Sequence, residues 1–349
     1  MEEIEIIKPD DWHVHFRDGE IMKAVIPETT QHFARAIVMP NLTPPVLNGN
    51  QAVLYKERIK KAIPKTHNFE PLMTLYLTEK TNKNQLMDAY KRGTVFAAKL
   101  YPAGATTNSD SGVKDIKKIM PVLQTMTKIG MPLLIHGEVT HKEVDIFDRE
   151  KVFIDKNLSF ICKELPELKI TLEHITTKDA TLYVNEGSKN LAASITPHHL
   201  ALNRNALLVG GIRPHNYCLP VLKREEHRKA IVEAATNGSE KFFLGTDTAP
   251  HLKEDKESGC GCAGVFNASY CLSILTQIFE NNNALHNLEK FVSINGAKHY
   301  NLKINTEKIH LIKLETPLVF EKTLSFSKQN INIFNPGFAV FWDVKTIKL

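Results

Sequence analysis

The sequence has few cysteines, no long apolar run and no block of basic residues, and each absence excludes a class of protein. Five cysteines in 349 residues are too sparse for a disulfide framework, which predicts reduced thiols in the cytoplasm. No apolar run approaches the roughly 20 residues of a membrane helix, and the acidic N-terminus lacks the apolar segment of a signal peptide. The formal charge of +5 is spread along the chain, which argues against a nucleic-acid partner.

The remaining composition, 42% hydrophobic and 24% charged, is typical of a globular protein with a large core. Short β-branched or apolar runs alternate with amphipathic stretches. The predicted strands span residues 4–15, 34–41, 71–78, 94–102, 131–138, 168–175, 191–199 and 241–250, and the clearest helices span 50–63, 112–130 and 225–238. Alternation of this kind predicts βαβ units and a parallel sheet.

Eight βα units in about 280 residues match the usual size of a (β/α)8 barrel, although a doubly wound open sheet is the alternative. After about residue 300 the pattern changes to the short β-like runs KIHLIKL and FAVFWDVK. We therefore predict an α/β fold, a (β/α)8 TIM barrel over residues 1–300. Residues 301–349 are predicted to form a short C-terminal extension packed on the barrel rather than a separate domain.

Chemically capable side chains stand at the ends of several predicted strands. They are His13, His15, Asn41, Lys99, His136, His174 and Asp247. In a barrel the carboxyl ends of the strands converge on the face where such enzymes keep their catalytic groups, whereas an open sheet would spread them along an edge. The positions of these residues therefore favour the barrel.

The segment PDDWHVHFRDG, residues 9–19, contains two histidines at the end of the first predicted barrel strand. Residues i and i+2 of a strand share one face, so His13 and His15 point the same way and can grip one divalent ion. Alone, the pair could equally be two solvated histidines. With His136, His174 and Asp247 on later strand ends, a metal site is favoured.

Lys99, in the apolar run AAKLYP, is predicted to be buried, and buried lysines are rare unless they are paired. One interpretation is an ion pair with a carboxylate elsewhere in the chain. The other is that burial lowers the pKa of the amine. A neutral amine can add CO₂ to form a carbamate, which would be a bridging ligand between two metal ions.

Eight ordered motifs carry a resemblance to a known family. They are DWHVHFRDG, IVMPNLTPP, AAKLYPAGATTNS, MPLLIHGEV, LEHITTKDA, GGIRPHNYCLP, LGTDTAPH and ESGCGCAG. Together they resemble the bacterial dihydroorotases of the shorter, PyrC-like (class II) type, within the amidohydrolase superfamily. The resemblance implies an enzyme that interconverts N-carbamoyl-L-aspartate and L-dihydroorotate in pyrimidine biosynthesis.

The resemblance also implies two Zn²⁺ ions per subunit and a set of ligands for them. The residues implied as ligands are His13, His15, Lys99, His136, His174 and Asp247. The first two histidines and Asp247 would hold the more buried ion, and the other two histidines would hold the second. Lys99, carboxylated to N6-carboxylysine, would bridge both ions, and Asp247 would also be the catalytic base and acid.

Further roles implied by the resemblance concern the substrate. The residues implied to contact it are Arg17, Asn41 and His251 at its carboxylate, Leu219 and Ala263 through their backbones at the ring, and Thr106 and Thr107 on a lid loop. The planar guanidinium of Arg17 suits a bidentate carboxylate contact. A homodimer is expected.

Two other functions remain open at this stage. Another cyclic-amide hydrolase, such as a hydantoinase or an allantoinase, would share the metal ligands. The second is a non-catalytic relative that acts as a binding partner. The group formed by Arg17, Asn41 and His251 suits an acidic substrate, which argues against a hydantoinase or an allantoinase. The complete set of metal ligands argues against a non-catalytic relative.

Overall fold

Eight parallel strands follow one another around a nearly closed barrel in the computed structural model, which describes residues 2–345. The strands of the chain are β1 Glu3–Ile7, β2 Asp10–Val14, β3 Arg35–Val38, β4 Glu70–Tyr76, β5 Ala97–Leu100, β6 Leu133–His136, β7 Ile170–Glu173, β8 Leu191–Ile195, β9 Phe242–Leu244, β10 Lys308–Lys313, β11 Thr323–Phe326, β12 Gln329–Asn332 and β13 Trp342–Val344. The barrel consists of β2 to β9 in sequence order. Hydrogen bonds from Asp247 N to His13 O (2.9 Å) and from His15 N to Thr248 O (3.0 Å) join its last and first strands. The predicted (β/α)8 barrel is confirmed.

Helices connect the strands and cover the outside of the barrel. They are α1 Gly19–Thr30, α2 Gly49–Ala62, α3 Lys83–Lys91, α4 Ile116–Ile129, α5 Arg149–Phe153, α6 Ser159–Glu164, α7 Lys178–Glu186, α8 Pro197–Ala201, α9 Asn205–Leu208, α10 Glu225–Thr236, α11 Lys253–Lys256, α12 Cys271–Asn281, α13 Leu285–Glu289 and α14 Asn295–His299. Among the described residues, no helix combines the length and the hydropathy needed to cross a bilayer.

Successive side chains of each strand point alternately into two apolar layers, as the period of two requires. In β6, Leu133 and Ile135 belong to the large core between the sheet and the helices, whereas Leu134 belongs to a smaller cluster inside the barrel. Trp12 and Phe243 are fully buried in that inner cluster. Apolar side chains therefore fill the lower part of the barrel, and the polar inward positions lie above them.

The predicted strand 4–15 is two strands, and this part of the prediction is wrong. β1 pairs antiparallel with β10 outside the barrel, and the barrel strand begins at Asp10. Both segments show the same alternation, which indicates a strand but does not reveal its partner. In addition, the pairing of β2 with β3 shifts register between Asp11 and Val14. Because of this bulge, Trp12 and His13 both face the interior.

The predicted strand 191–199 is also too long, because β8 ends at Ile195 and α8 begins at Pro197. The Thr196 hydroxyl accepts a hydrogen bond from His199 N at 3.1 Å. Thr is a favoured N-cap residue, and Pro at the first helical position adds a preset φ. His198 therefore lies on a helix rather than at the end of a strand.

The segment after residue 300 forms two small sheets. β10 pairs with both β1 and β13, so the first described strand of the chain joins the last. β11 and β12 form a hairpin, and Phe334 N donates to Phe266 O at 2.8 Å. The backbone thus ties the C-terminal segment to the loops that follow β9.

Candidate active site

The predicted polar side chains converge at the carboxyl end of the barrel. His13 lies on β2, His15 directly after it and Asp247 in the turn after β9, and all three are buried. The Nε2 atoms of the two histidines are 3.1 Å apart. Asp247 Oδ1 lies 3.2 Å from His13 Nε2 and 3.1 Å from His15 Nε2. Three possible ligand atoms thus meet at one point, as metal coordination requires.

His136, at the end of β6, and His174, directly after β7, form the second half of the cluster. Their ring centroids are 4.8 Å apart, and the ring of His174 is 5.0 Å from that of His13. His136 Nε2 lies 2.8 Å from Glu138 Oε2. His174 Nδ1 is buried with no hydrogen-bond partner among residues 2–345. A buried nitrogen without a partner is costly unless something binds it.

Lys99 is fully buried on β5, and its ammonium contacts the carboxylate of Glu173 on β7. This contact corresponds to the ion-pair interpretation of Lys99, and burial also lowers the pKa of the amine. Nζ lies 4.8 Å from the centre of the Tyr101 ring. Glu173 Oε1 is also 3.0 Å from His13 Nδ1. Glu173 therefore lies against both His13 and Lys99.

The charges of the cluster oppose the effect of burial. Burial would lower the pKa of His13, but Glu173 and Asp247 raise it to about 9. Burial would raise the pKa of Asp247, but His13 and His15 hold it well below its usual range. For His15, burial prevails and lowers the pKa to about 3. The carboxylates are thus ionised at a buried site, where they attract cations strongly.

Three residues of the site have a backbone conformation that residues other than glycine rarely adopt. The φ angles are 60° for Arg17, 43° for His174 and 46° for Asp247, and such conformations cost about 1–3 kcal/mol each. Each turns a side chain at a strand end towards the interior. The surrounding structure must hold these turns in place.

Two buried carboxylates hold the turns at His174 and Asp247. Glu150 accepts hydrogen bonds from the backbone N–H and the hydroxyl groups of both Thr176 and Thr177. Asp11 accepts from Thr246 N at 2.9 Å and from its hydroxyl at 2.6 Å. Charge-assisted bonds of this kind are stronger than neutral ones, so they offset the strain of the neighbouring residues.

A second group of predicted residues lies beside the cluster. Arg17 Nη2 is 2.9 Å from His251 Nε2, and that nitrogen is 3.1 Å from the Ala263 carbonyl. Asn41 Nδ2 donates to Thr107 O at 2.9 Å. Thr107 Oγ1 donates to Ala263 O at 3.3 Å. These contacts place the predicted lid residue directly over the predicted substrate groups.

One pocket joins the two groups. The predicted residues that line it are His13, His15, Arg17, Asn41, Thr106, Thr107, His136, His174, Leu219, Asp247 and Ala263. Lys99 lies below the pocket and His251 lies beside it, behind Arg17.

Besides Asp11, sequence reasoning missed three acidic residues of the site, although two of them followed a visible signal. Glu173 alternates with Thr171 on β7 and therefore faces inward, and Glu138 is two residues after His136. The i, i+2 rule that selected His13 and His15 would have selected both. Glu150 had no such signal because it lies in the charged run FDREK.

A third cluster, formed by His198, His199 and Cys218, has ligand-like spacing but is not a good metal site. His199 Nε2 lies 2.9 Å from the Pro220 carbonyl, to which it can only donate, and its Nδ1 lies 2.8 Å from the Thr196 hydroxyl. Both nitrogens are therefore engaged, and no lone pair is free for a cation. The cluster is structural.

The chain is similar to known proteins over nearly its whole length. A family model described as the amidohydrolase family matches residues 6–336. A dihydroorotase of Agrobacterium fabrum is 54% identical over 344 residues, which cover 99% of this chain and all of that protein. An L-hydantoinase from Arthrobacter aurescens, at 14% identity and a TM-score of 0.80 over 98% of this chain and 83% of its own, shares the fold.

Two solved dihydroorotases are nearer in sequence. The enzyme from Campylobacter jejuni superposes with a TM-score of 0.89 at 36% identity, covering 99% of this chain and 98% of its own. The enzyme from Saccharomyces cerevisiae, in complex with 5-fluoroorotic acid, superposes with a TM-score of 0.90 at 31% identity, covering 99% of both chains. The chain therefore belongs to the amidohydrolase family and, within it, to the dihydroorotases.

Proposed function

We propose that the chain catalyses the reversible cyclisation of N-carbamoyl-L-aspartate to L-dihydroorotate with loss of water, the third step of de novo pyrimidine synthesis. Full-length identity of 54% to a dihydroorotase supports this. The observation that carries the proposal is that one pocket joins the His13, His15 and Asp247 cluster to Arg17. A cluster that suits cations thus lies beside a cation that suits an acidic substrate.

We propose further that the cluster binds two Zn²⁺ ions. His13, His15 and Asp247 would hold one ion and His136 and His174 the other, with carboxylated Lys99 bridging them. The donor set fits, because His174 Nδ1 is buried without a partner in the described part of the chain and Glu173 Oε1 lies 3.0 Å from His13 Nδ1, which leaves His13 Nε2 for an ion. When bound, zinc would lower the pKa of water and polarise a carbonyl group.

Arg17 and His251 are placed to bind the substrate carboxylate. Burial, with Arg17 and Lys256 nearby, lowers the pKa of His251 to about 2, so its ring is neutral. Nε2 of a neutral ring either donates to Ala263 O or accepts from Arg17, and it cannot do both. A carboxylate that accepts from both side chains would satisfy the donors on each. Asn41 would supply a further donor.

Asp247 would move the proton in the reaction. Its carboxylate is ionised and reaches into the pocket, so it would accept a proton from the attacking water and deliver it to the departing ring nitrogen. In the synthetic direction the same carboxylate would take the proton from nitrogen. Ring closure consumes a carboxylate and a proton, so acidic conditions favour L-dihydroorotate.

The direct test is a spectrophotometric assay of L-dihydroorotate hydrolysis with the wild-type chain and Asp247→Asn. We expect wild-type turnover and a loss of about 10³-fold in kcat for the variant, the usual range for removing a general acid–base group. Metal content is measured in parallel, because Asp247 is also a proposed ligand. Near-wild-type turnover by the variant would remove Asp247 from this role, and an inactive wild-type chain would refute the proposal in favour of a non-catalytic relative.

A hydantoinase or allantoinase activity is the second candidate, and Arg17 distinguishes it. Arg17→Met is expected to raise KM for L-dihydroorotate by about 100-fold, as loss of a bidentate charged contact does. Arg58→Met is the matched control, since Arg58 pairs with Asp18 outside the pocket. Turnover of hydantoin or allantoin in preference to L-dihydroorotate, unaffected by Arg17→Met, would favour the second candidate.

Other expectations remain predictions of the same proposal. They are a cytoplasmic location, a homodimer, independence from nucleic acid, and a functional division between a barrel at 1–300 and an extension at 301–349. Sedimentation of the purified chain measures the oligomeric state, and a monomer at working concentration would contradict the homodimer.

A further inference from the structure

Lys256, the last residue of α11, is 4% exposed although it lies in the polar run HLKEDKESG. Its Nζ donates to three backbone carbonyls, those of Tyr217 at 2.8 Å, Cys262 at 2.8 Å and Gly264 at 2.9 Å. An ammonium group has three protons. All three are used, and each is directed at the backbone.

No carboxylate among residues 2–345 forms a salt bridge with this ammonium. This buried charge faces three carbonyl dipoles and lies 5.8 Å from the centre of the Tyr217 ring. It therefore loses hydration without gaining an ion pair, which is costly. The lysine is therefore poorly explained by stability alone. The carbonyls that it binds indicate another role.

The three carbonyls belong to two loops that meet at the pocket. Ala263 lies between Cys262 and Gly264, and Leu219 is two residues beyond Tyr217. Ala263 and Leu219 both line the pocket. Gly264 N also donates to Tyr217 O at 3.0 Å, so the loops contact each other directly where Lys256 binds them.

The segment around Ala263 has a backbone that requires support. Cys262 has a φ of 26°, and Gly264 has a φ of 155°. A Cβ at Gly264 would lie 2.5 Å from the Ala249 carbonyl oxygen. Such conformations persist only where the surroundings impose them. Lys256 binds the carbonyl on each side of Ala263 and so imposes this one.

We propose that Lys256 is a positioning residue for substrate recognition, an inference that rests on the proposed function. It fixes the backbone of Ala263 and Leu219 at the spacing of the substrate ring edge. It also fixes the Ala263 carbonyl that Thr107 Oγ1 contacts at 3.3 Å. Closure of the loop that carries Thr107 therefore depends on a lysine that does not itself touch the pocket.

The test compares Lys256→Met with Lys241→Met. Lys241 Nζ also donates to three carbonyls, those of Gly187, Ser188 and Leu191, but at the amino ends of β8 and β9. For Lys256→Met we expect KM for L-dihydroorotate to rise about tenfold with kcat within about threefold. For Lys241→Met we expect a similar loss of thermal stability and an unchanged KM.

A double-mutant cycle separates positioning from a general loosening of the fold. Thr107→Ala and Lys256→Met both act through Ala263, so their combined effect on KM is expected to be smaller than the product of the single effects. The effects of Thr107→Ala and Lys241→Met on KM should multiply. An unchanged KM in Lys256→Met, or single effects on KM that multiply in both pairs of variants, would overturn the inference. If Lys256→Met does not fold, Lys256→Gln, which keeps two donors, replaces it and is expected to show an intermediate KM. A wild-type KM in Lys256→Gln would then refute the inference.

Hydrogen exchange distinguishes failure of this inference from failure of the proposed function. Exchange in residues 258–264 should accelerate in Lys256→Met and not in Lys241→Met. An inactive wild-type chain with accelerated exchange in the variant would refute the proposed function while leaving Lys256 as the residue that holds the loop. Unchanged exchange in the variant would refute the positioning role whatever the activity.

Discussion

Replacement of Glu150 by glutamine tests whether buried carboxylates hold the strained turns of the site. Glu150 is 1% exposed and accepts two backbone N–H groups and two hydroxyl groups from Thr176 and Thr177. Glutamine keeps one acceptor oxygen and presents an NH₂ group to donors. About two charge-assisted hydrogen bonds are lost, which costs about 3 kcal/mol of unfolding free energy.

Burial raises the pKa of Glu150, and the charge of Lys223, which is itself 3% exposed, partly opposes this shift. Glutamine removes this attraction between the two buried groups. We therefore expect Glu150→Gln to lose about 3–5 kcal/mol, a large part of the about 5–15 kcal/mol typical of a folded protein. Because Thr176 is two residues from His174, zinc affinity should also fall about tenfold.

Urea unfolding followed by circular dichroism measures the first effect and zinc titration measures the second. Glu20→Gln is the control, because Glu20 pairs with Lys23 at the surface and such pairs contribute about 0–1 kcal/mol. A loss in Glu150→Gln no larger than that of the control would refute the view that this carboxylate anchors the turn at His174.

Two further predictions concern the stability of the barrel. Gly296→Ala would place a Cβ 1.9 Å from Trp12 Nε1, so we expect a loss of about 3 kcal/mol in urea unfolding; wild-type stability would show that the inner cluster is loosely packed. His199 is buried, and burial lowers its pKa to about 4, so the stability from its neutral ring is present above pH 6.5 and is lost as the pH falls towards 4. Between pH 6.5 and 5 the unfolding free energy of the wild type should fall by about 2 kcal/mol more than that of His199→Gln. Parallel plots of unfolding free energy against pH for the two proteins would contradict this.

Strand ends were the most predictable part of the site. The positions of Lys99, His136 and His174 follow from alternating apolar runs that the structure finds as β5, β6 and β7. The period of two along β7 also predicts that Glu173 faces inward, because inward positions recur every two residues along a strand. Attention to histidine and lysine alone left this carboxylate out, and with it the partner of Lys99.

Other features depended on tertiary structure and had no local signal. The bulge that turns Trp12 and His13 inward arises from the pairing of β2 with β3. Glu150 and Lys256 lie in charged runs that resemble solvated surface, yet loops from distant parts of the chain bury both. Burial of such residues depends on contacts with backbone groups, and no periodic pattern in the sequence predicts those contacts.

The pairing of metal ions through Lys99 is the central claim, and a crystal structure of active enzyme with anomalous data at the zinc edge tests it most directly. The account predicts two zinc peaks beside His13 and His174, with continuous density that extends Lys99 Nζ by a carboxylate. A single peak or none, with an unmodified ammonium on Glu173 in crystals of fully active enzyme, would contradict it.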